Sequence, residues 1–131
     1  MKEHEKYRMA PIFDNGSCLF PNLIRDEDMQ DIIISEEETK IRIYRFPTSQ
    51  IKLNGKKSSY YDVIHSLKFE ECCRALEDIY CRINMKDIYK IVDQIDILSE
   101  TQRRFYKHML YNRYQWIIKD SYNRWKGKQN A

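Results

Sequence analysis

The second half of the chain carries apolar residues at helical spacing, and this pattern limits the possible fold more than any other feature. Over residues 69–83, and again over 85–98, apolar side chains recur at i, i+3, i+4 and i+7, which places them on one face of a helix. Ser99 and Gln102 form a predicted capping box. It starts the longest helix, expected from about Glu100 to Trp125 with a stop at Gly127. The buried stripe of this helix is predicted to contain Phe105, Met109, Leu110, Tyr114, Ile117 and Ile118.

Signals in the first half predict shorter elements. Residues 7–13 are mostly apolar and end at a turn signal, so they are expected to form a strand. Asp26 is the expected cap of a short helix that ends near Ser35. At residues 35–46 a capping pattern of Ser35 and Glu38 favours a helix, whereas the strict alternation of residues 41–46 favours a strand. The helix is the preferred interpretation. A turn at residues 53–56 precedes a helix that starts at Ser58 or Ser59.

Composition supports one mainly α-helical domain. The chain has 131 residues with three glycines and three prolines, so regular structure should dominate and long loops should be few. We expect residues 1–22 to hold one or two short strands and a turn, residues 23–126 to form a bundle of four to six helices, and residues 127–131 to be a frayed tail. Short connections favour antiparallel neighbours.

Charge and cysteine usage exclude several classes of protein. The formal net charge of +3 is too small to imply a nucleic-acid or membrane partner by itself. No run of 18 apolar residues is present, so a membrane-spanning helix is not expected, and a cytoplasmic location is predicted. The four cysteines lack the spacing of a zinc site and are predicted to be core thiols rather than disulfides: Cys18, Cys72, Cys73 and Cys81.

The C-terminal helix leaves two interpretations open. Between Glu100 and Lys128 it carries eight basic and two acidic residues, with aromatic residues interleaved. Such a pattern can bind phosphate backbones and stack on bases. The alternative is a solvated outer face whose long basic side chains cover apolar surface. The second interpretation is favoured because helical spacing puts most of the aromatic residues with the core stripe. Direct nucleic-acid binding is therefore not expected.

The segment with the clearest chemical potential is residues 10–21. An apolar strand that delivers Asp14 onto the turn Asn15-Gly16 is one way in which kinases hold Mg²⁺ against the phosphates of ATP. An Asp-Asn-Gly turn is also common, and its usual role is to reverse the chain. On spacing alone, chain reversal is the preferred interpretation. His65 and His108 lie on predicted helices without a Cys or Asp at a telling spacing, so neither is a good catalytic candidate.

A family resemblance changes the interpretation of this segment. Ala-Pro-Ile-Phe-Asp-Asn-Gly-Ser at residues 10–17 resembles the segment that carries the metal-binding aspartate in HipA-like serine/threonine kinases. Weaker resemblance follows at residues 45–51, 54–57, 60–64, 104–106 and 112–114, so that it runs from about Tyr7 to Ile118. The resemblance implies the helical C-terminal lobe of a kinase, with Asp14 as the ligand of Mg²⁺ and, through it, of ATP. Asn15, Gly16 and Ser17 would shape its turn.

The chain departs from the family pattern before Asp14. Only 13 residues precede Asp14, and residues 1–8 contain no Asp or Asn that could match the family's catalytic loop. The glycine-rich phosphate cradle and the N-terminal lobe are not found either. We therefore expect a C-terminal kinase fragment that transfers the γ-phosphate of ATP to a protein Ser or Thr only with its missing N-terminal part. The alternative is a stand-alone helical binding module for a protein or nucleic-acid partner.

The resemblance also suggests partners. The expected ones are the missing N-terminal part, an antitoxin-like protein, and a protein substrate. If part of the kinase is missing, the face that would meet it should expose apolar side chains. The expected residues are Met9, Ile12, Phe13 and Phe20.

Overall fold

Helices dominate the part of the chain that the computed structural model describes, which is residues 2–3, 6–7, 19–46 and 48–131. The prediction of a mainly α-helical bundle with short N-terminal strands is confirmed. The elements, in chain order, are β1 (Lys2–Glu3), β2 (Lys6–Tyr7), α1 (Asp26–Ile34), α2 (Glu36–Arg45), β3 (Thr48–Leu53), β4 (Lys56–Ser59), α3 (Tyr60–Ser66), α4 (Glu70–Arg82), α5 (Met85–Asp93), α6 (Glu100–Arg113), a π-helical segment (Tyr114–Lys119) and α7 (Asp120–Gln129).

The strands form two separate antiparallel pairs. β1 pairs with β2, with Lys2 opposite Tyr7. Most of the strand predicted at residues 7–13 lies outside the described residues. β3 and β4 form a hairpin that was not predicted. Its turn residues Asn54 and Gly55 have φ values of 52° and 78°. Asn and Gly tolerate positive φ at both central turn positions, which explains why the predicted turn joins two strands.

Polar caps define where three helices begin, as the sequence predicts. Ser99 Oγ accepts from the backbone N–H of Gln102 at 3.1 Å, and the Gln102 side chain accepts from the N–H of Ser99 at 2.7 Å. Ser59 and Asp62 form the same reciprocal pair. Ser35 Oγ accepts from the N–H of Glu38 at 3.2 Å. Asp26, by contrast, is not the cap of α1. Arg25 occupies that position, and the Asp26 carboxylate accepts from Ser99 Oγ at 3.1 Å.

The ambiguous segment at residues 35–46 is a helix. Thr39 and Ile43 are 1% and 3% exposed. They lie four residues apart, so they share one face of α2 and turn it towards α1 and α6. The cap at Ser35 and the burial of this face outweigh the alternating pattern of residues 41–46.

Two predicted helix ends are wrong. α5 ends at Asp93, although the apolar pattern continues to residue 98. Ile95 and Ile97 are 40% and 92% exposed, so these apolar side chains add little burial that would hold another helical turn. The last helix continues through Gly127 to Gln129. A glycine near an exposed helix end costs only about 1 kcal/mol relative to alanine, which is too little to stop the helix.

The core lies where α1 and α2 pack on α6 and the π-helical segment. Its buried apolar residues are Met29, Ile32, Ile43, Phe105, Met109 and Ile117. Of the predicted stripe, Leu110, Tyr114 and Ile118 are only half-buried. Among the cysteines, Cys73 is buried as predicted, Cys72 is half-buried and Cys81 is exposed. Cys18 lies outside the described residues. Burial raises the pKa of the Cys73 thiol, which keeps it protonated and unreactive.

None of the helices in the described ranges has both the length and the apolar character needed to cross a membrane.

Candidate functional site

The predicted metal ligand Asp14, together with Asn15, Gly16 and Ser17, lies outside the described residues, as do Met9, Ile12 and Phe13. In residues 19–46 and 48–131, no three or more His, Cys, Asp or Glu side chains come together as a potential metal site. The assignment of Mg²⁺ to Asp14 therefore remains a prediction. The described chain resumes at Leu19 and immediately forms a cleft on the molecular surface.

This cleft, called the Phe20 cleft below, has a volume of about 430 Å³ and is lined by Phe20, Pro21, Asn22, Leu23 and Arg42. Phe20 has a φ of 57°, a left-handed conformation that is rare for a bulky residue. A hydrogen bond of 3.0 Å from the Leu23 N–H to the Phe20 carbonyl closes the turn. The Phe20 ring packs against Phe105, with ring centroids 6.4 Å apart. This core contact stabilises the unusual backbone conformation and keeps Phe20 half-buried.

Two arginines from different helices contact the Phe20 ring. The Arg42 guanidinium lies 5.4 Å from the ring centroid and the Arg113 guanidinium lies 5.5 Å from it. Both distances are those of cation–π contacts. Arg42 Nε is buried, and no hydrogen-bond acceptor meets it among the residues that the structure describes. No carboxylate in that part of the chain forms an ion pair with Arg42. A buried donor without an acceptor is energetically costly, and the contact with the Phe20 ring offsets part of that cost.

Two further clefts extend this surface along α2. One, of about 230 Å³, is lined by Phe20, Glu38, Ile41, Arg42 and Phe46. The next, of about 240 Å³, is almost wholly apolar and is lined by Ile43, Phe46, Tyr60, Ile64, Arg113, Ile117 and Ile118. Shared lining residues connect the three clefts, and Phe46 and Tyr60 at the far end are about half exposed. The face therefore changes from basic and aromatic near Phe20 to apolar near Tyr60.

His108 belongs to a polar network inside the bundle. Thr39 Oγ1 donates to the Ile32 carbonyl at 2.8 Å and lies 2.9 Å from His108 Nε2. Because the single hydroxyl proton is directed to Ile32, His108 Nε2–H donates to Thr39. Asn112 Nδ2 donates to the His108 carbonyl at 2.8 Å and lies 3.4 Å from both ring nitrogens. Burial lowers the pKa of His108. These contacts connect α1, α2 and α6, which is a structural role.

His65 lies in a second cluster at the junction of α3 and α7. Its ring stacks on Tyr61 with centroids 4.7 Å apart, and Nδ1 lies 3.4 Å from both Asp120 Oδ2 and Ser121 Oγ. Burial and the nearby Arg124 lower the pKa of His65, although Asp120 opposes them. Both neighbours meet the same ring nitrogen, so this is not the geometry of a catalytic triad, which needs the nucleophile and the acid on opposite nitrogens.

We expect stability to fall on mild acidification because both histidines have a lowered pKa when folded. The unfolded chain takes up protons first as the pH falls below the ordinary value of 6.5. The histidine contribution is therefore complete above that value and is lost below it. Thermal unfolding followed between about pH 7.5 and about pH 5.5 measures this change. Glu77, whose pKa is lowered by hydrogen bonds from Lys126 and Trp125, responds only below its ordinary value of 4.5.

The double variant His65→Gln/His108→Gln is the control for this measurement. It should show a much smaller change in melting temperature over the same range. A melting temperature of the natural chain that rises on acidification would contradict the assignment.

The basic residues of the C-terminal helix make several contacts within the molecule. Arg103 donates to the Ile95 carbonyl at 2.9 Å, and Arg124 donates to the His65 carbonyl at 2.6 Å. Lys126 pairs with Glu77 at 2.7 Å, and Lys107 pairs with Asp93. These contacts give the basic residues structural roles. The expectation that the helix does not bind nucleic acid directly stays a prediction.

Comparison with known proteins finds similarity to part of a serine/threonine kinase. No family model matches the chain. The serine/threonine-protein kinase CtkA of Helicobacter pylori strain J99 is 39% identical over 121 residues, which is 92% of this chain and 37% of that kinase. The crystal structure of the Helicobacter pylori proinflammatory kinase CtkA superposes with a TM-score of 0.83 at 37% identity. The aligned region covers 95% of this chain and 44% of the CtkA chain in that structure.

The predicted resemblance to HipA-like serine/threonine kinases is confirmed by the similarity to the kinase CtkA. The chain spans less than half the length of the relatives it matches. The Arg42–Phe20–Arg113 cluster was missed by sequence reasoning. Its members lie on three distant segments, so no local spacing reveals the contact. Phe20 was expected as an apolar residue of an exposed face, and Arg113 only as one of the basic residues of the C-terminal helix.

Proposed function

We propose that this chain forms the helical C-terminal lobe of a HipA-like serine/threonine kinase and that it transfers phosphate only when combined with the rest of such a kinase. The observation that carries the proposal is similarity along nearly the whole chain to less than half of the kinase CtkA. In this proposal Asp14 is the Mg²⁺ ligand, ATP is the phosphate donor and a protein hydroxyl is the acceptor.

The metal ligands that the chain offers support a Mg²⁺ site that the rest of the kinase completes. Mg²⁺ keeps several waters and is bound through one or two carboxylates together with the substrate phosphates. Asp14 is one such carboxylate, and the described residues offer no further cluster of ligands. A bound Mg²⁺ would neutralise the charge that develops on the phosphates. The protein's own contribution would be to fix the Asp14 carboxylate at the end of an apolar segment.

The dependence on a second part follows from the way in which phosphoryl transfer is catalysed. Positioning and charge stabilisation come from several groups that act together. The effects of such groups are strongly non-additive, so the absence of the base alone removes most of the rate. In this proposal the general base comes from the rest of the kinase. We therefore expect the chain by itself to bind Mg–ATP weakly and to show no steady kinase or ATPase activity.

Calorimetric titration with ATP, with and without Mg²⁺, tests the proposal. Asp14→Asn should weaken Mg²⁺-dependent ATP binding by about tenfold or more. Asp31→Asn, which changes an exposed carboxylate on α1, is the matched control and should have no effect. Translating the DNA immediately upstream of Met1 in all three frames shows whether a catalytic loop is encoded there. The kinase assay would then include that segment.

Two outcomes would overturn the proposal. Steady kinase activity of the chain alone, abolished by Asp14→Ala, would show that no second part is needed. Tight binding of a protein partner that is indifferent to Asp14→Asn, with no Mg–ATP binding, would favour the helical binding module instead. The exposed Phe46 and Tyr60 beside an apolar cleft are the observation that keeps this second function in view.

A further inference from the structure

Two of the clefts along α2 share Phe46 and together form one apolar groove, called the Phe46 groove below. Its floor belongs to the core, since Ile43 and Ile117 are only 3% and 7% exposed. Phe46 and Tyr60 stand at its edges and are 52% and 50% exposed. Single exposed apolar residues such as Ile97 need no explanation, whereas large apolar side chains around a concave apolar floor are typical of a protein-binding surface.

The Phe46 groove is built from helices and offers no free strand edge. Ile43 lies on α2, Tyr60 and Ile64 lie on α3, and Ile117 lies on the π-helical segment. None of the described lining residues belongs to a strand, so an incoming chain cannot be held here by strand addition to a sheet. Burial of side chains must supply the affinity. An amphipathic helix suits such a groove because its apolar residues form one stripe at i, i+3, i+4 and i+7.

The comparison with CtkA indicates which polypeptide covers the groove. Nearly the whole of this chain superposes on the CtkA structure, yet it accounts for less than half of that kinase. A kinase with this helical lobe therefore has more than half of its residues to pack around it. Apolar surface that one part of a protein exposes is buried when the rest of the protein packs against it. The Phe46 groove is a surface of this kind.

We propose that the Phe46 groove is the docking site for an amphipathic helix from the rest of the kinase. The inference rests on the proposed function and names the contact through which the two parts combine. Apolar side chains on one face of that helix fill the clefts on either side of Phe46 and cover Tyr60. Glu38 and Arg42 border the groove at its Phe20 end. The charged side chains thus lie at the edge of the contact and the apolar ones at its centre, as in stable protein interfaces.

A second copy of the chain fits the groove less well than a helix does. Two copies related by a two-fold axis would place one concave surface against another and leave both unfilled. Ile24 and Ile97 protrude, with 76% and 92% exposure, and they could enter the groove of another copy only head to tail. Contacts of that type produce rings or filaments rather than closed dimers. Head-to-tail association is therefore the outcome that the test must separate from docking of a helix.

Fluorescence anisotropy of the intact chain tests the proposal without depending on catalysis. The probes are overlapping labelled peptides of about 25 residues, each long enough for several helical turns, that cover the part of CtkA outside the aligned region. We expect a peptide with an apolar helical stripe to bind and to gain helical circular dichroism on binding. Phe46→Ala and Tyr60→Ala should each weaken that binding by about tenfold or more.

Tyr111→Ala is the matched control for Tyr60→Ala. Tyr111 is 45% exposed on α6 and does not line the groove, so this variant should leave peptide binding unchanged. Phe46 and Tyr60 are half exposed, and their truncation should leave the fold intact. Thermal unfolding checks this for each variant, and if one of them does not fold the other decides.

Three results would overturn the proposal. The first is that no peptide binds, and the second is that binding survives both Phe46→Ala and Tyr60→Ala. The third is sedimentation of the chain as oligomers that Phe46→Ala dissociates, because the groove would then hold a second copy. The titration with Mg–ATP keeps the two proposals apart. Peptide binding without Mg–ATP binding would refute the kinase chemistry alone, whereas Mg–ATP binding without peptide binding would refute the docking site alone.

Discussion

Replacing Phe105 by alanine is expected to lower the free energy of unfolding by about 3–5 kcal/mol, the usual cost of removing a large side chain from a packed core. Phe105 is 0% exposed and lies at the centre of the core. Its ring also packs against Phe20 and Tyr106. The truncation therefore removes the free energy gained by burying the ring and leaves a cavity. It also removes the ring contact with Phe20 that stabilises the turn at Phe20. Urea unfolding followed by circular dichroism measures the change.

Phe46→Ala is the matched control because the same atoms are removed from a side chain that is 52% exposed. Surface substitutions usually change stability by less than about 0.5 kcal/mol, so its midpoint should move little. A similar loss in both variants would show that Phe105 does not occupy the core position described above.

Replacing Thr39 by valine is expected to cost about 1–3 kcal/mol, although the two side chains have nearly the same shape. Thr39 is 1% exposed and bonds to both the Ile32 carbonyl and His108 Nε2. The Ile32 carbonyl also accepts from the Ser35 N–H at 3.2 Å, so it keeps a partner. His108 Nε2–H loses its acceptor, and this unmet donor accounts for most of the decrease in the free energy of unfolding. The same unfolding experiment measures it.

Thr39→Ser distinguishes the hydroxyl from the methyl group. Serine keeps both hydrogen bonds and loses one methyl group, so it should cost only about 1 kcal/mol. If valine were tolerated better than serine, packing rather than hydrogen bonding would hold α2 against α6 at this point.

The sequence predicts most of the helices because their signals are local. The Ser99–Gln102 pair lies within a single turn, and its spacing identifies the start of α6 directly, whereas the start of α3 was predicted only to within one residue, at Ser58 or Ser59. The end of α5 depends on whether Ile95 and Ile97 find a surface to cover, and periodicity carries no such information. The β3–β4 hairpin was missed for a similar reason. Its Asn54-Gly55 turn is a clear signal, but the short strands on either side have only weak patterns of their own.

The candidate site likewise has one part that the sequence predicts and another that it does not. Asp14 is found from a contiguous motif and a family resemblance. The Arg42–Phe20–Arg113 cluster depends on how α2 and α6 pack together, and helix packing is not encoded in the spacing of three distant residues. The exposure of Phe20 was likewise overestimated, because its contact with Phe105 is tertiary. Local chemistry is therefore predictable here, whereas a surface assembled from distant segments is not.

The π-helical segment at residues 114–119 affects how this chain is aligned with related sequences. Phe105, Met109, Ile117 and Ser121 are buried at intervals of four or eight residues. In a regular α-helix each step of four would turn the stripe by about 40°, or about 160° over the whole interval. The wider π-helical turn reduces this rotation and keeps the stripe directed at the bundle. A homologue with an ordinary α-helix here should therefore need a one-residue gap in the alignment. Without that gap, every position after Lys119 would be assigned to a face about 100° away from its true one.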